Sequence, residues 1–206
     1  MVLAMKYFCF IFLLISCNNT SDVRSFLDDY EPINAQGSIN AVVEIPSGTL
    51  EKWEVDKKSG KIERDIENGR HRKINYLGYP SNYGMIPRTQ LPKELGGDGD
   101  PLDVLILGEP IPRGSVVQVK LIGVMNMLDD GERDDKLIAV LTDKTVFSNI
   151  DNIEEFDRLF PGSLLIIRTW FANYKGGNRI SFIGFGEKDI AEKILFDAIE
   201  NYEDKR

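Results

Sequence analysis

The segment Gly96-Gly97-Asp98-Gly99-Asp100-Pro101-Leu102-Asp103 places three acids within six residues and surrounds them with glycine. Carboxylates this close repel, so a fold that gathers them raises their pKa values or loses stability unless a cation stands among them. A divalent metal removes that cost. Glycine lets the chain turn sharply enough to aim the side chains inward, and Pro101 stops a regular strand from running through the loop. Taken alone, an Asp-Gly-Asp reads as a solvated turn. A calcium loop of the EF-hand kind is the other rival, since Glu109 falls where its bidentate glutamate would stand. Pro101 and the apolar run 104–107 occupy the places of its alternate ligands, which argues against it.

A second cluster, Asp129-Asp130-Gly131-Glu132-Arg133-Asp134-Asp135-Lys136, precedes the apolar run 137–141. By itself it is a hairpin loop. Together the two clusters supply enough hard oxygen ligands for two or more Mg²⁺ ions, which keep several waters and bridge to substrate phosphates. Nitrogen and sulfur sites are poorly served: His71 is the lone histidine, and Cys9 and Cys17 both lie in the first seventeen residues. Zinc designs that need two or three imidazoles are excluded.

Isolated cations and aromatic hydroxyls are scattered around these acids: Lys52, Arg72, Tyr79, Tyr83, Lys136, Tyr174, Lys175 and Arg179. Lys and Arg give charge-assisted bonds to phosphate oxygens, and Tyr gives an oriented donor that is neutral near pH 7. There is no Gly-x-x-x-x-Gly-Lys-Ser/Thr loop and no Gly-x-Ser-x-Gly elbow, so phosphorus chemistry assisted by metal is the reading that remains. The chain carries 25 Lys and Arg against 33 Asp and Glu, a formal net charge of -8, and lacks the broad basic footprint of a nucleic-acid binder.

The elements that must position these groups are short. With 206 residues, 42% of them hydrophobic, the chain suffices for one ordinary domain and a short appendage. From residue 40 onward, Val- and Ile-rich runs alternate with Gly, Pro and Asp clusters, the pattern of a mainly β domain. Candidate strands are 41–45, 52–55, 104–107, 115–124, 137–141, 164–170 and 180–185. Helices are expected at 153–160 and 189–202, the second with Ile190, Ala191, Ile194, Leu195, Ala198, Ile199 and Tyr202 toward the sheet. A closed or partly closed barrel with peripheral helices, one of them C-terminal, accommodates this pattern.

At the other end, Lys6 precedes an apolar run, 7–15, too short to span a bilayer but right for a signal-peptide core, and Leu14-Ile15-Ser16-Cys17 closes it. This resembles a bacterial lipobox, which implies removal of residues 1–16 and lipid on Cys17, with 17–38 as a polar, aperiodic tether and 39–206 as the domain. The expected location is the bacterial cell envelope, on the periplasmic side or at the outer membrane, with membrane contact through lipid only. If the signal is unused, the protein stays in the cytoplasm.

Asp98-Gly99-Asp100-Pro101-Leu102-Asp103-Val104 resembles the signature of the family I soluble inorganic pyrophosphatases. Glu44-Ile45-Pro46, Lys52-Trp53-Glu54-Val55-Asp56, Tyr79-Pro80-Ser81-Asn82-Tyr83-Gly84, Asp134-Asp135-Lys136-Leu137 and Asn173-Tyr174-Lys175 match in order. The resemblance, which runs over about residues 40–186, implies a five-stranded OB-like barrel, pyrophosphate as substrate and several Mg²⁺ ions per site, with Mn²⁺ or Zn²⁺ as substitutes. It implies Asp98, Asp103 and Asp134 as main metal ligands, Asp129 for a further ion, and Glu44 and Glu54 acting through metal-bound waters. Asp100 would orient or deprotonate the attacking water. Lys52, Arg72, Tyr83, Tyr174 and Lys175 would hold the two phosphates, with Tyr79, Lys136 and Arg179 completing the set. The segment 65–73 is longer than in compact bacterial members, so Arg70 competes with Arg72, which its distance from Tyr79 favours. A homo-oligomer is implied, a hexamer first and a dimer second. The competing readings are a non-catalytic OB-like lipoprotein module for a polyanion or oligosaccharide, and a structural calcium-binding surface protein.

Overall fold

A computed structural model describes residues 24–143 and 145–205 of the chain. Cys17, the expected signal segment 1–16 and the first part of the expected tether lie outside the described residues. In chain order the strands are β1 (Ile39–Ile45), β2 (Trp53–Val55), β3 (Ile62–Arg64), β4 (Ile66–Glu67), β5 (Arg70–His71), β6 (Asn82–Met85), β7 (Asp103–Leu107), β8 (Val116–Asp129), β9 (Glu132–Arg133), β10 (Lys136–Leu141) and β11 (Ile180–Gly186). Three α-helices join them: α1 (Ile153–Leu159), α2 (Ser163–Asn173) and α3 (Lys188–Glu203). No described helix is long and apolar enough to cross a membrane.

Strand β1 pairs with both β6 and β8, so the hydrogen-bonded path β1-β6-β7-β10-β8 returns to its start as a ring of five strands. Closure gives those strands partners on both sides and removes the open edges that an equivalent flat sheet would expose. Alternation along β7 and β10 sends Val104, Ile106, Leu137 and Ala139 to one face, where Ala191, Ile194 and Leu195 of α3 pack. Leu105, Leu107, Ile138 and Val140 point the other way, toward α1, α2 and an aromatic cluster around Trp170. Both faces are thus dry, which explains why these runs are nearly continuous in Val, Ile and Leu.

Several expectations change. The run 164–170 is not a strand but the middle of α2. Its buried residues, Leu164, Ile167, Trp170 and Phe171, recur at helical spacing, while Leu165 and Ile166 are exposed. β-Branched content suggested a strand, and the period decided otherwise. The expected strand 115–124 continues to Asp129, where Asp130 (φ +50) and Gly131 (φ +92) make the two-residue turn into β9. Ile190 is 45% exposed and does not join the packed face of α3.

The described part of the segment expected to be a tether, from Arg24 on, is folded onto the domain. Phe26 and Leu27 pack with Val42, Val55 and Met85, and the Tyr202 hydroxyl donates to the Asp28 carboxylate. The polar composition of 17–38 concealed these two apolar anchors.

Candidate active site

Strand register delivers the central groups. β7 and β10 run parallel with Val104 opposite Leu137, so Asp103 and Lys136, one residue earlier on each strand, stand side by side. Both share the face of Leu105 and Ile138, the face that looks toward Tyr83. The Lys136 ammonium donates to Asp103 Oδ2 at 2.5 Å and also to the Asp134 carboxylate. Burial by itself would lower the Lys136 pKa, but these two carboxylates more than reverse that and hold it well above the usual lysine range. Asp134 moves upward, mainly because it is buried, and Lys136 opposes the shift.

Strand β6 was not foreseen, although its residues belong to a recognised motif. Its sequence, Asn-Tyr-Gly-Met, has too little apolar content to read as a strand, yet every residue in it is buried. Asn82 explains this: its amide donates to the carbonyls of Ile106 (3.2 Å) and Glu109 (2.9 Å), and its oxygen accepts from the amides of Ser47 (3.1 Å) and Ile111 (2.8 Å). Four satisfied bonds make a buried amide tolerable. Gly84 is required by close approach, since an added Cβ would lie 1.8 Å from the Val42 carbonyl oxygen of β1. Between them these residues seat Tyr83, whose hydroxyl bonds to Asp103.

The remaining groups come from loops and strand ends. Asp129 closes β8, and Lys175, just past α2, pairs with it. Lys52 and Glu54 flank Trp53 on β2, with the Lys52 ammonium 5.2 Å from the Tyr83 ring centre. Glu44 is 4% exposed and accepts from the Val55 amide at 2.7 Å. Burial, chiefly, pushes its carboxyl up to about 8, against the pull of Lys52 and with help from Asp103. Tyr83 and Tyr174 are also raised by burial, so they remain neutral donors.

These parts enclose one cavity of about 460 Å³. Eight acids line it (Glu44, Glu54, Asp56, Asp98, Asp100, Asp103, Asp129, Asp134) against six bases (Lys52, Lys57, Lys58, Arg72, Lys136, Lys175). Arg72 reaches the wall, fixed by Asp65 at 3.0 Å, whereas Arg70 lines a separate shallow hollow on the β4–β5 hairpin. Two expected residues are placed elsewhere. Tyr79 is 4% exposed in an aromatic stack, with its ring centre 4.7 Å from Trp170 and 5.6 Å from Tyr83, and it backs the wall without lining it. Arg179 is drawn away to Asp130 at the β8–β9 turn, 3.0 Å from Nε to Oδ2. Asp56, which ends a matching stretch but was given no role there, and Lys57 and Lys58, which the sequence did not single out, follow β2 directly and also line the cavity. Lys57 pairs with Asp100 across the cavity.

Whether the residues suit a divalent metal can be tested on this geometry. Among the described residues no three acids cluster tightly enough to enclose an ion unaided. Instead, ammonium groups hold the carboxylates: Lys57 on Asp100, Lys136 on Asp103 and Asp134, and Lys175 on Asp129. Mg²⁺ needs only one or two carboxylates, completing its shell with water and substrate oxygens. Asp129 Oδ1 is buried with no hydrogen-bond partner, an acceptor that a cation would satisfy. The all-oxygen donor set and the excess of acids over bases fit magnesium.

Residues 41–203 match the family model described as inorganic pyrophosphatase. The chain belongs to the inorganic pyrophosphatase family. It is 39% identical over 168 residues to the inorganic pyrophosphatase of Campylobacter jejuni, covering 80% of this chain and 91% of that one. It is 34% identical over 190 residues to the mitochondrial inorganic pyrophosphatase of Saccharomyces cerevisiae, covering 81% of this chain but 61% of the yeast protein. The crystal structure of a type I inorganic pyrophosphatase from Toxoplasma gondii superposes with a TM-score of 0.81 at 30% identity, covering 88% of each chain. This pyrophosphatase family is metal-dependent, generally on Mg²⁺.

Proposed function

We propose that this chain hydrolyses inorganic pyrophosphate to two orthophosphates with magnesium. The observation that carries the reading is the cavity in which Lys136 is held between Asp103 and Asp134, lined as well by Asp98, Asp100 and Asp129 and by the bases Lys52, Arg72 and Lys175. Asp98, Asp103, Asp134 and Asp129 would hold the ions, and Glu44 and Glu54 would reach them through water. Magnesium, when bound, supplies positive charge to the phosphoryl oxygens and acidifies water.

The chain's own residues do the rest. Lys52, Arg72 and Lys175 offer charge-assisted bonds to the two phosphates, and Tyr83 and Tyr174 offer neutral hydroxyl donors. Lys136, kept charged by its two carboxylates, places a fixed cation where charge builds on the leaving phosphate. Asp100 is half exposed at the cavity edge and takes the proton of the attacking water on a carboxylate oxygen. No nucleophilic side chain is needed, because positioning and electrostatics supply most of the acceleration in phosphoryl transfer.

The deciding experiment measures phosphate released from pyrophosphate with Mg²⁺, with Mn²⁺ or Zn²⁺, with Ca²⁺ and with chelator. Release with Mg²⁺ and none with chelator supports the reading; no release under any metal overturns it. Lipid attachment at Cys17, and with it an envelope location, is supported by the signal-like run before it, and palmitate-analogue labelling of wild type against Cys17→Ala tests it. A homo-oligomer is supported by exposed Leu165 and Ile166 on α2 and Ile183 on β11, and light scattering after gel filtration tests it.

A further inference from the structure

Residues 25–31 lie outside the stretch that matches the family, yet they grip the back of the cavity wall. Phe26 and Leu27 pack on Val55 and Met85, both of which line the cavity with another part of their surface. The Phe26 amide donates to the Gly60 carbonyl at 2.8 Å, fastening the turn between β2 and β3. Contact there is close: Gly60 has φ +64, and an added Cβ would lie 2.1 Å from Ser25 Oγ.

The far end of this segment is tied to the main body. Arg88 Nε donates to the Asp28 carbonyl at 2.7 Å, its guanidinium also meets Glu31, and Tyr202 donates to the Asp28 side chain. The clamped turn carries Lys57 and Lys58 on its cavity side, and Lys57 reaches across to Asp100. Without the clamp, a hairpin of two three-residue strands has little of its own to hold it still.

We propose that residues 25–31 are a positioning strap for the active site: by fixing the β2–β3 turn they hold Lys57 over the cavity mouth, where its ammonium meets a phosphate of the substrate. The proposal rests on the pyrophosphate reading of the cavity. Lys57 is the residue that touches substrate, while Phe26 and Arg88 act through it. A strap that merely covers apolar surface would affect the amount of folded enzyme and leave substrate affinity alone.

The test is a double-mutant cycle on the full chain, read as KM and kcat for magnesium pyrophosphate. Lys57→Ala is expected to raise KM about tenfold, the value of one charge-assisted bond. Phe26→Ala is expected to raise KM about fivefold with kcat little changed, a loss of about 1 kcal/mol. Phe26→Leu should restore most of it. The double variant should be no worse than Lys57→Ala alone; effects that multiply overturn the proposal. If Phe26→Ala does not fold, Arg88→Met, which keeps the apolar stem and loses the donors, takes its place in the same cycle. Amide hydrogen exchange supplies a readout independent of catalysis: the strap variant should exchange faster at 56–61 with the ring strands unaltered. Unchanged protection at 56–61 overturns the proposal. Should the wild type release no phosphate, the cavity reading falls, while the exchange result still judges the strap.

Discussion

Glu44 gives the sharpest quantitative expectation. Its carboxyl is buried beside Asp103 and Glu54, and its value rises from the ordinary 4.5 to about 8, chiefly through burial. Between those two pH values the unfolded chain has released this proton and the folded chain keeps it. The folded state then binds more protons, so stability falls as pH rises. The contribution is fully present below pH 4.5 and is lost as pH passes through about 8. A gap of this size, at about 1.4 kcal/mol per pH unit, amounts to on the order of 5 kcal/mol. Glu44→Gln removes the titration while keeping an oxygen that can accept from the Val55 amide. Urea unfolding in chelator, run from pH 5 to pH 9, should show wild type losing stability relative to the variant at up to about 1.4 kcal/mol per pH unit, levelling above pH 8. A constant difference between the two proteins across that range would refute the argument, because it would mean that Glu44 ionises equally in both states.

Three further outcomes follow from the same geometry. Asp100→Asn should keep the melting behaviour and lower kcat by about 10²-fold or more, as for loss of a general base, and near-normal turnover sinks the assignment. Lys136→Met leaves Asp103 and Asp134 without their shared ammonium. In chelator this variant should lose about 3 kcal/mol or more in urea melts, with Mg²⁺ restoring part of it, and undiminished stability contradicts the account of the pair. Gly84→Ala drives a methyl group into the Val42 carbonyl and should cost about 2 kcal/mol or more in thermal or urea unfolding; a variant as stable as wild type would show that β1 and β6 can separate freely.

The sequence by itself determined the chemistry and most of the chain's local order. Asp98, Asp100 and Asp103 in a glycine-rich loop, with Asp129, Asp134 and the bases that match in order, point to oxygen-ligand metal chemistry on a phosphate before any coordinates are seen. Val- and Ile-rich runs located β1, β7 and β10, alternation located β8, and helical spacing located α3. Those signals are local, so one chain suffices to read them. What only the tertiary structure decided is which of these residues meet. The parallel register of β7 and β10 puts Lys136 against Asp103, which no local pattern contains. Asp130 captures Arg179, and the aromatic stack takes Tyr79 behind the wall, because pairing and burial compete for side chains that look equivalent in sequence. β6 was illegible because its burial comes from the four bonds of Asn82 and the missing side chain of Gly84, both of which acquire meaning only against distant backbone. The same holds for Phe26 and Lys57, thirty-one residues apart: Phe26 is bonded to Gly60 of the turn that carries Lys57, and sequence distance does not record contact.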